Sequence, residues 1–201
     1  MRYGMVIDLF LCVGCNSCTV SCRAEHGTPP GILYHKVKKY EVGKYPSAKM
    51  KFLPMPCMHC QDPQCLKVCP TGATYKRDDG LVLIDSEKCM GCRYCVLACP
   101  YDSRQFLKTI DTYYPGGSPT PYEMLKQKDF EKGTVFKCDF CAHRLAEGRL
   151  PACVESCPAQ ARHFGDLDDP ESEVSRLIAS NNGTTLREEL GTKPSVYYIR
   201  G

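Results

Sequence analysis

The chain has 201 residues, 24% of them charged, and a formal net charge of +3. That is enough for one compact domain or two small ones, and the 26 basic residues are scattered with no stripe of arginine and aromatic residues, which argues against a nucleic-acid partner. Sixteen cysteines admit three readings: disulfides, structural zinc or iron–sulfur clusters.

The opening "MRYGMVIDLF" has neither a basic segment leading into an apolar one nor a twin arginine, so no export signal is expected in it. Apolar runs such as "LVLI" (81–84) are far too short to span a bilayer, so the chain is expected not to insert into one. "GMVIDL" reads as a strand before the first cysteines. "ILYHKVKKYEV" and "KMKFLPM", joined through "GKYPSA", read as a hairpin. "GLVLID" is a second strand before a second cysteine loop, and short helical stretches such as "CVLAC" follow the loops, so strand, cysteine loop and helix repeat along the chain. Residues 104–137, with "YYPGGSPTPYEML", read as an inserted surface loop. "DLDDPESEVSRLIASNNG" reads as a helix capped by Asp169, with Pro170 in its first turn and Asn182-Gly183 as its stop. "KPSVYYIR" reads as a final strand or extended arm.

The cysteines form four groups with none left over: Cys12, Cys15, Cys18, Cys22; Cys57, Cys60, Cys65, Cys69; Cys89, Cys92, Cys95, Cys99; and Cys138, Cys141, Cys153, Cys157. Each begins C-x-x-C and ends C-x-x-x-C, and Pro70, Pro100 and Pro158 follow three of them, Arg23 the first. A zinc ribbon or a disulfide scaffold leaves this repeat unexplained, whereas a cubane 4Fe-4S cluster needs one thiolate at each of four irons. A loop can wrap three cysteines around one cube. The fourth lies one helical turn beyond the third, points away, and in two-cluster ferredoxins ligates the other cube. Applied to each group, the rule gives one cluster to Cys12, Cys15, Cys18 and Cys157, and a second to Cys138, Cys141, Cys153 and Cys22. A third falls to Cys57, Cys60, Cys65 and Cys99, and a fourth to Cys89, Cys92, Cys95 and Cys69. The two ends of the chain are then tied together by metal, which couples folding to cluster insertion. With each filled quartet carrying −2, the net charge becomes about −5.

Gly14 and Gly91, inside "CVGC" and "CMGC", allow tight turns that bring amide N–H groups near sulfur; "CMHC" and "CDFC" lack that glycine. His59 is read as a non-ligand, because four cysteines per site suffice. Asp166, Asp168, Asp169, Glu171 and Glu173 are read as helix-start acids on a solvated turn. His143 and Arg144 are expected to pack over the last cysteine loop or a helix face, and no catalytic residues, organic-cofactor motif or haem site stand out.

The order of the four groups, with "CPTGATY", "CPYDSRQF", "CDFCAHRLAEGRLPACVESCP" and "FGDLDDPESEVSRL", resembles the iron–sulfur subunit of molybdopterin oxidoreductases of the dimethyl sulfoxide reductase superfamily, nearest to the polysulfide, thiosulfate and respiratory arsenate reductase branches. The resemblance implies an α+β fold of tandem ferredoxin-like modules, each with two 4Fe-4S clusters, related by pseudo-two-fold symmetry and carrying hairpin and loop insertions. Residues 57–103 would form an inner half, and 1–56 with 104–201 an outer one. It implies a non-catalytic subunit relaying electrons through four clusters in a row, with molybdopterin held only by a large catalytic partner and a quinone-reactive membrane subunit as the other partner. The complex would be membrane-associated and carried to the outer face with its catalytic subunit, the alternative being cytoplasmic. A free-standing polyferredoxin is the competing reading. Large permanent interfaces would mark a subunit, and the 104–137 loop and 184–201 tail are the expected ones.

Overall fold

The computed structural model describes residues 1–199; Arg200 and Gly201 lie outside the described residues. Strand β1 (Tyr3–Asp8) is buried from Gly4 to Ile7, as befits a strand with a neighbour on each edge and a layer on each face. Helix α1 (Ser17–His26) follows the first cysteine loop, and a seven-pair antiparallel hairpin joins β2 (Lys36–Val42) to β3 (Lys49–Met55). The short α2 (Gln64–Lys67) leads to a small hairpin of β4 (Thr74–Lys76) and β5 (Val82–Ile84), then α3 (Tyr94–Leu97). β6 (Gln105–Phe106) pairs with β7 (Val135–Phe136) across α4 (Pro121–Lys126). The chain closes with α5 (Ala142–Ala146), α6 (Ala152–Glu155), β8 (Arg162–Asp166), α7 (Glu173–Ser180) and β9 (Val196–Ile199).

The ends of the chain meet in one sheet. β1 runs antiparallel to β8 and parallel to β9, in the order β8-β1-β9. The period-two alternation of β1 sorts its side chains: Met5 and Ile7 join the main core with Cys18, Cys57, Cys138, Cys153 and Phe140, whereas Val6 faces Val174 of α7 and Ile199.

Two expectations are corrected. The late helix begins at Glu173, capped by Ser172, whose Oγ accepts from Ser175 N at 3.2 Å; Asp169 instead closes a turn by accepting from Glu171 N. Asp-Pro lies too early because that turn must first carry the chain off the end of β8. Residues 104–137 are not a bare loop. Thr120 and Glu123 form a capping box for α4, and Glu123 also accepts from Tyr113 N at 2.7 Å. The segment docks on the C-terminal end of α1 through Tyr113 Oη to Thr28 O, Lys126 Nζ to Glu25 O, and a Tyr122–Ala24 hydrogen bond, so contacts within the chain order it. The tail ends, as expected, in a strand, β9, and is tied into the chain: Gln61 N and Asp62 N donate to Lys193 O and Thr192 O, Ser195 N donates to Met58 O, and Tyr198 Oη donates to Pro54 O at 2.8 Å.

Candidate iron–sulfur sites

Each C-x-x-C loop turns at its third residue through the left-handed region: Gly14 at φ 67°, His59 at 41°, Gly91 at 70° and Phe140 at 56°. Only two of the four are glycine, and their surroundings explain which. A β-carbon on Gly14 would lie 2.1 Å from the Phe52 ring of the β2–β3 hairpin, and one on Gly91 would lie 2.0 Å from Gly133 O. Both insertions thus sit directly on a cysteine loop. At the other two loops the third residue carries a ring, and the rings of His59 and Phe140 stack on each other at 3.8 Å. A second left-handed residue follows three positions after the fourth cysteine in the three groups with proline: Gly72, Asp102 and Gln160. In the first group Arg23 takes the proline's place and α1 runs on to His26.

The backbone brings together cysteines from different groups. Cys12, Cys15, Cys18 and Cys157 line one hollow of ≈ 20 Å³; Cys57, Cys60, Cys65 and Cys99 line another of ≈ 20 Å³; Cys69, Cys89, Cys92 and Cys95 line a third of ≈ 10 Å³. Cys22, in the middle of α1, lies beside Cys138, Cys141 and Cys153, and all four are buried. No disulfide links any of the sixteen. Burial pushes the thiols of Cys60 and Cys141 up to about 12, with neighbouring Cys57 adding to the first and Asp139 to the second, and drives Cys22 and Cys138 up as well. Four converging thiols in so dry a setting become thiolates only against a compensating cation, which is the chemistry of a metal-cluster site. Cys69 differs: burial works against its thiolate, but Thr74 N at 3.3 Å and the Thr71 hydroxyl outweigh it and hold the thiol down. Ala161 N makes the equivalent contact to Cys157 at 3.3 Å.

Cysteines of different groups also lie near one another: Cys57 of the second group beside Cys138 of the fourth, and Cys18 of the first beside Cys153 of the fourth. His59 marks the joint between the second and fourth groups. It accepts from Val82 N at Nδ1 (3.1 Å), so Nε2 carries the proton and donates to Cys138 O at 3.1 Å. Burial first, and Lys137 next, hold its pKa well below the ordinary value, in keeping with the neutral ring; its role is structural. At the outer quartets, Phe10, Leu11 and Val13 stand exposed around Cys12, and Met90, Tyr94 and Leu97 around Cys92.

The charged residues take local roles. Arg144 is buried between Glu25, Glu155 and Leu150 O, and His143 Nε2 lies 2.8 Å from Glu25. Asp166 and Asp168 hold Arg2, and Glu173 pairs with His163. Sequence reasoning passed over Arg104 and Arg162, both buried beside quartets. The available signal was a second repeat, C-P-x-x-x-R-x-F, which runs from Cys99 to Phe106 and again from Cys157 to Phe164.

Two family models, each described as a 4Fe-4S dicluster domain, match residues 48–114 and 115–167 in one case and 11–73 in the other. Similar proteins include a selenate reductase subunit of Mesobacillus selenatarsenatis, 47% identical over 99% of this chain and 72% of that protein. The arsenate respiratory reductase iron–sulfur subunit of Shewanella sp. strain ANA-3 is 41% identical over 100% of this chain and 97% of its own length. A tetrathionate reductase subunit of Salmonella typhimurium is 42% identical over 98% of this chain and 72% of its own.

Proposed function

The chain belongs to the 4Fe-4S dicluster family of iron–sulfur subunits of molybdopterin oxidoreductases, an electron-transfer subunit with four 4Fe-4S clusters and no catalysis of its own, and from that premise we propose how its residues divide the work. Cys12, Cys15, Cys18 and Cys157 hold one centre; Cys138, Cys141, Cys153 and Cys22 the next; Cys57, Cys60, Cys65 and Cys99 the third; and Cys89, Cys92, Cys95 and Cys69 the last. The observation carrying this reading is that thiols from different groups converge, three sets of them around a common hollow. When bound, such centres exchange single electrons with their neighbours.

The facing pairs Cys57–Cys138 and Cys18–Cys153 support a row that runs from the Cys89 quartet through the Cys57 and Cys138 quartets to the Cys12 quartet. Two halves related by pseudo-two-fold symmetry, 57–103 inside and 1–56 with 104–201 outside, are supported by matched positions: Gly14 with Gly91, His59 with Phe140, Gly72 with Gln160. The outer half's tail nevertheless crosses over to line the inner Cys57 quartet at Thr192. The exposed apolar residues at both ends of the row support two docking surfaces. One would serve the molybdopterin catalytic subunit and the other a quinone-reactive membrane subunit, in a complex on the outer face of the membrane. Among the described residues no helix is long and apolar enough to cross a membrane, so anchorage would fall to that third subunit.

The test is anaerobic co-expression with the catalytic subunit, followed by metal analysis. Four irons and four acid-labile sulfides per cysteine quartet are expected. Stoichiometric zinc, or half that iron, would overturn the reading.

A further inference from the structure

Arg104 and Arg162 stand five residues after Cys99 and Cys157, the fourth cysteines of their groups. Both side chains are buried, at 2% and 5% exposure. Arg104 lines the hollow of the Cys57 quartet and that of the Cys89 quartet alike. Its Nη2 donates to Cys65 Sγ at 3.0 Å and its Nη1 to Thr74 Oγ1 at 2.9 Å, and it faces Cys95 across the second hollow. Arg162 lines the hollow of the Cys12 quartet and faces Cys18 of that set together with Cys153 and Cys138 of the neighbouring one. His35 Nε2 accepts from both terminal nitrogens of Arg162, at 2.9 and 2.6 Å, and fixes its plane. Neither guanidinium has a carboxylate partner among the described residues, in contrast to Arg144. In both, Nε is buried with no hydrogen-bond partner, a donor left for an acceptor inside the quartet.

We propose that Arg104 and Arg162 are equivalent potential-setting residues, each lodged between two cysteine quartets and holding an uncompensated positive charge that stabilises the reduced state of both centres it faces. The inference rests on the ligand sets proposed above. Taking up an electron adds negative charge to a quartet in a dry interior, and a fixed guanidinium offsets it. Arginine suits the place because it stays charged when buried and its planar fork can serve two acceptors at once.

The experiment is an EPR-monitored redox titration of the iron-loaded protein, with iron counted in every sample, on the wild type, Arg104→Gln, Arg104→Lys, Arg162→Gln and Arg162→Lys. Each glutamine variant should keep all its iron and lower two of the four midpoint potentials. At fixed potential the oxidised-to-reduced ratio of those centres rises at least about tenfold, 59 mV for one electron. The two glutamine variants should displace different pairs, and the lysine variants should stay within that factor of the wild type. A full iron complement with unmoved potentials, or all four moving together, overturns the inference while leaving the ligand sets standing. A wild type short of iron overturns those sets instead. If the glutamine variants lose iron, the lysine variants decide: retained iron and near-native potentials support the role of charge, and equal loss of iron refutes it.

Discussion

Replacing His59 with phenylalanine tests whether the second and fourth cysteine groups are joined through one neutral ring. The substitution keeps an aromatic ring against Phe140, whose centroid lies 3.8 Å away, so stacking is largely preserved. It removes the acceptor of Val82 N–H, a buried donor whose hydrogen bond is 3.1 Å long. It also removes the donor to Cys138 O, but that carbonyl keeps Lys137 Nζ at 2.8 Å. One buried group is therefore orphaned, at a cost of about 1–3 kcal/mol. At about 2–4 °C per kcal/mol for a chain of this size, that lowers the unfolding midpoint by roughly 2 to 12 °C. Phe140→Leu is the complementary change: it leaves both hydrogen bonds and loses the stack, costing about 0.5–1.5 kcal/mol. The assay is anaerobic thermal unfolding of the iron-loaded protein, followed by far-ultraviolet circular dichroism and by the visible absorbance of the clusters. A His59→Phe protein as stable as the wild type would refute the joint.

Cys99→Ser should perturb the EPR signal of the centre assigned to Cys57, Cys60 and Cys65, and not that of Cys89, Cys92 and Cys95; a Cys89→Ser variant that disturbs the same signal as Cys99→Ser would contradict this pairing. Partial burial opposes the charged form of Glu25, but hydrogen bonds from His143 and Arg144 prevail and hold its pKa at about 2 against an ordinary 4.5. Since the folded value is the lower one, this stabilisation is complete above pH 4.5 and is lost as pH falls towards 2, and Glu25→Gln should remove that part of the acid dependence when unfolding is measured against pH. Thr120→Ala, which removes one arm of the α4 capping box, should destabilise α4 by about 1 kcal/mol and speed hydrogen exchange between residues 112 and 126 without changing the iron content.

Cysteine spacing and glycine placement are legible in the sequence because metal and turn each demand one residue type. Gly14 and Gly91 announce their left-handed turns; His59 and Phe140 adopt the same turn without announcing it, since only their stacking against each other makes a ring tolerable there. Arg104 and Arg162 escaped notice for a related reason. A single arginine is ordinary, and the repeat appears only when the third and fourth groups are superposed on their last cysteines. The segment 104–137 misleads because its glycines and prolines signal turns, while what orders it is its fit to the C-terminal end of α1, residues far away in sequence. The helix after β8 shows competition between two local signals: Asp169-Pro170 and Ser172 both begin helices well, and the turn leaving the sheet favoured the later one.

The contrast between the loops follows from their surroundings, and it suits the row proposed above. The two central loops meet in the main core, where a void would cost packing and an open channel would admit water, so each fills its turn with a ring and accepts the strain of a positive φ. The two outer loops lie under other segments, Phe52 over Gly14 and Gly133 over Gly91, and there a side chain would push the cover away. Beside the first of these loops Cys15 is exposed, and apolar residues stand free around both, Phe10, Leu11 and Val13 at one and Met90, Tyr94 and Leu97 at the other. The wire proposed above needs both arrangements: a dry, rigid centre that keeps adjacent quartets together, and exposed ends that a partner can cover.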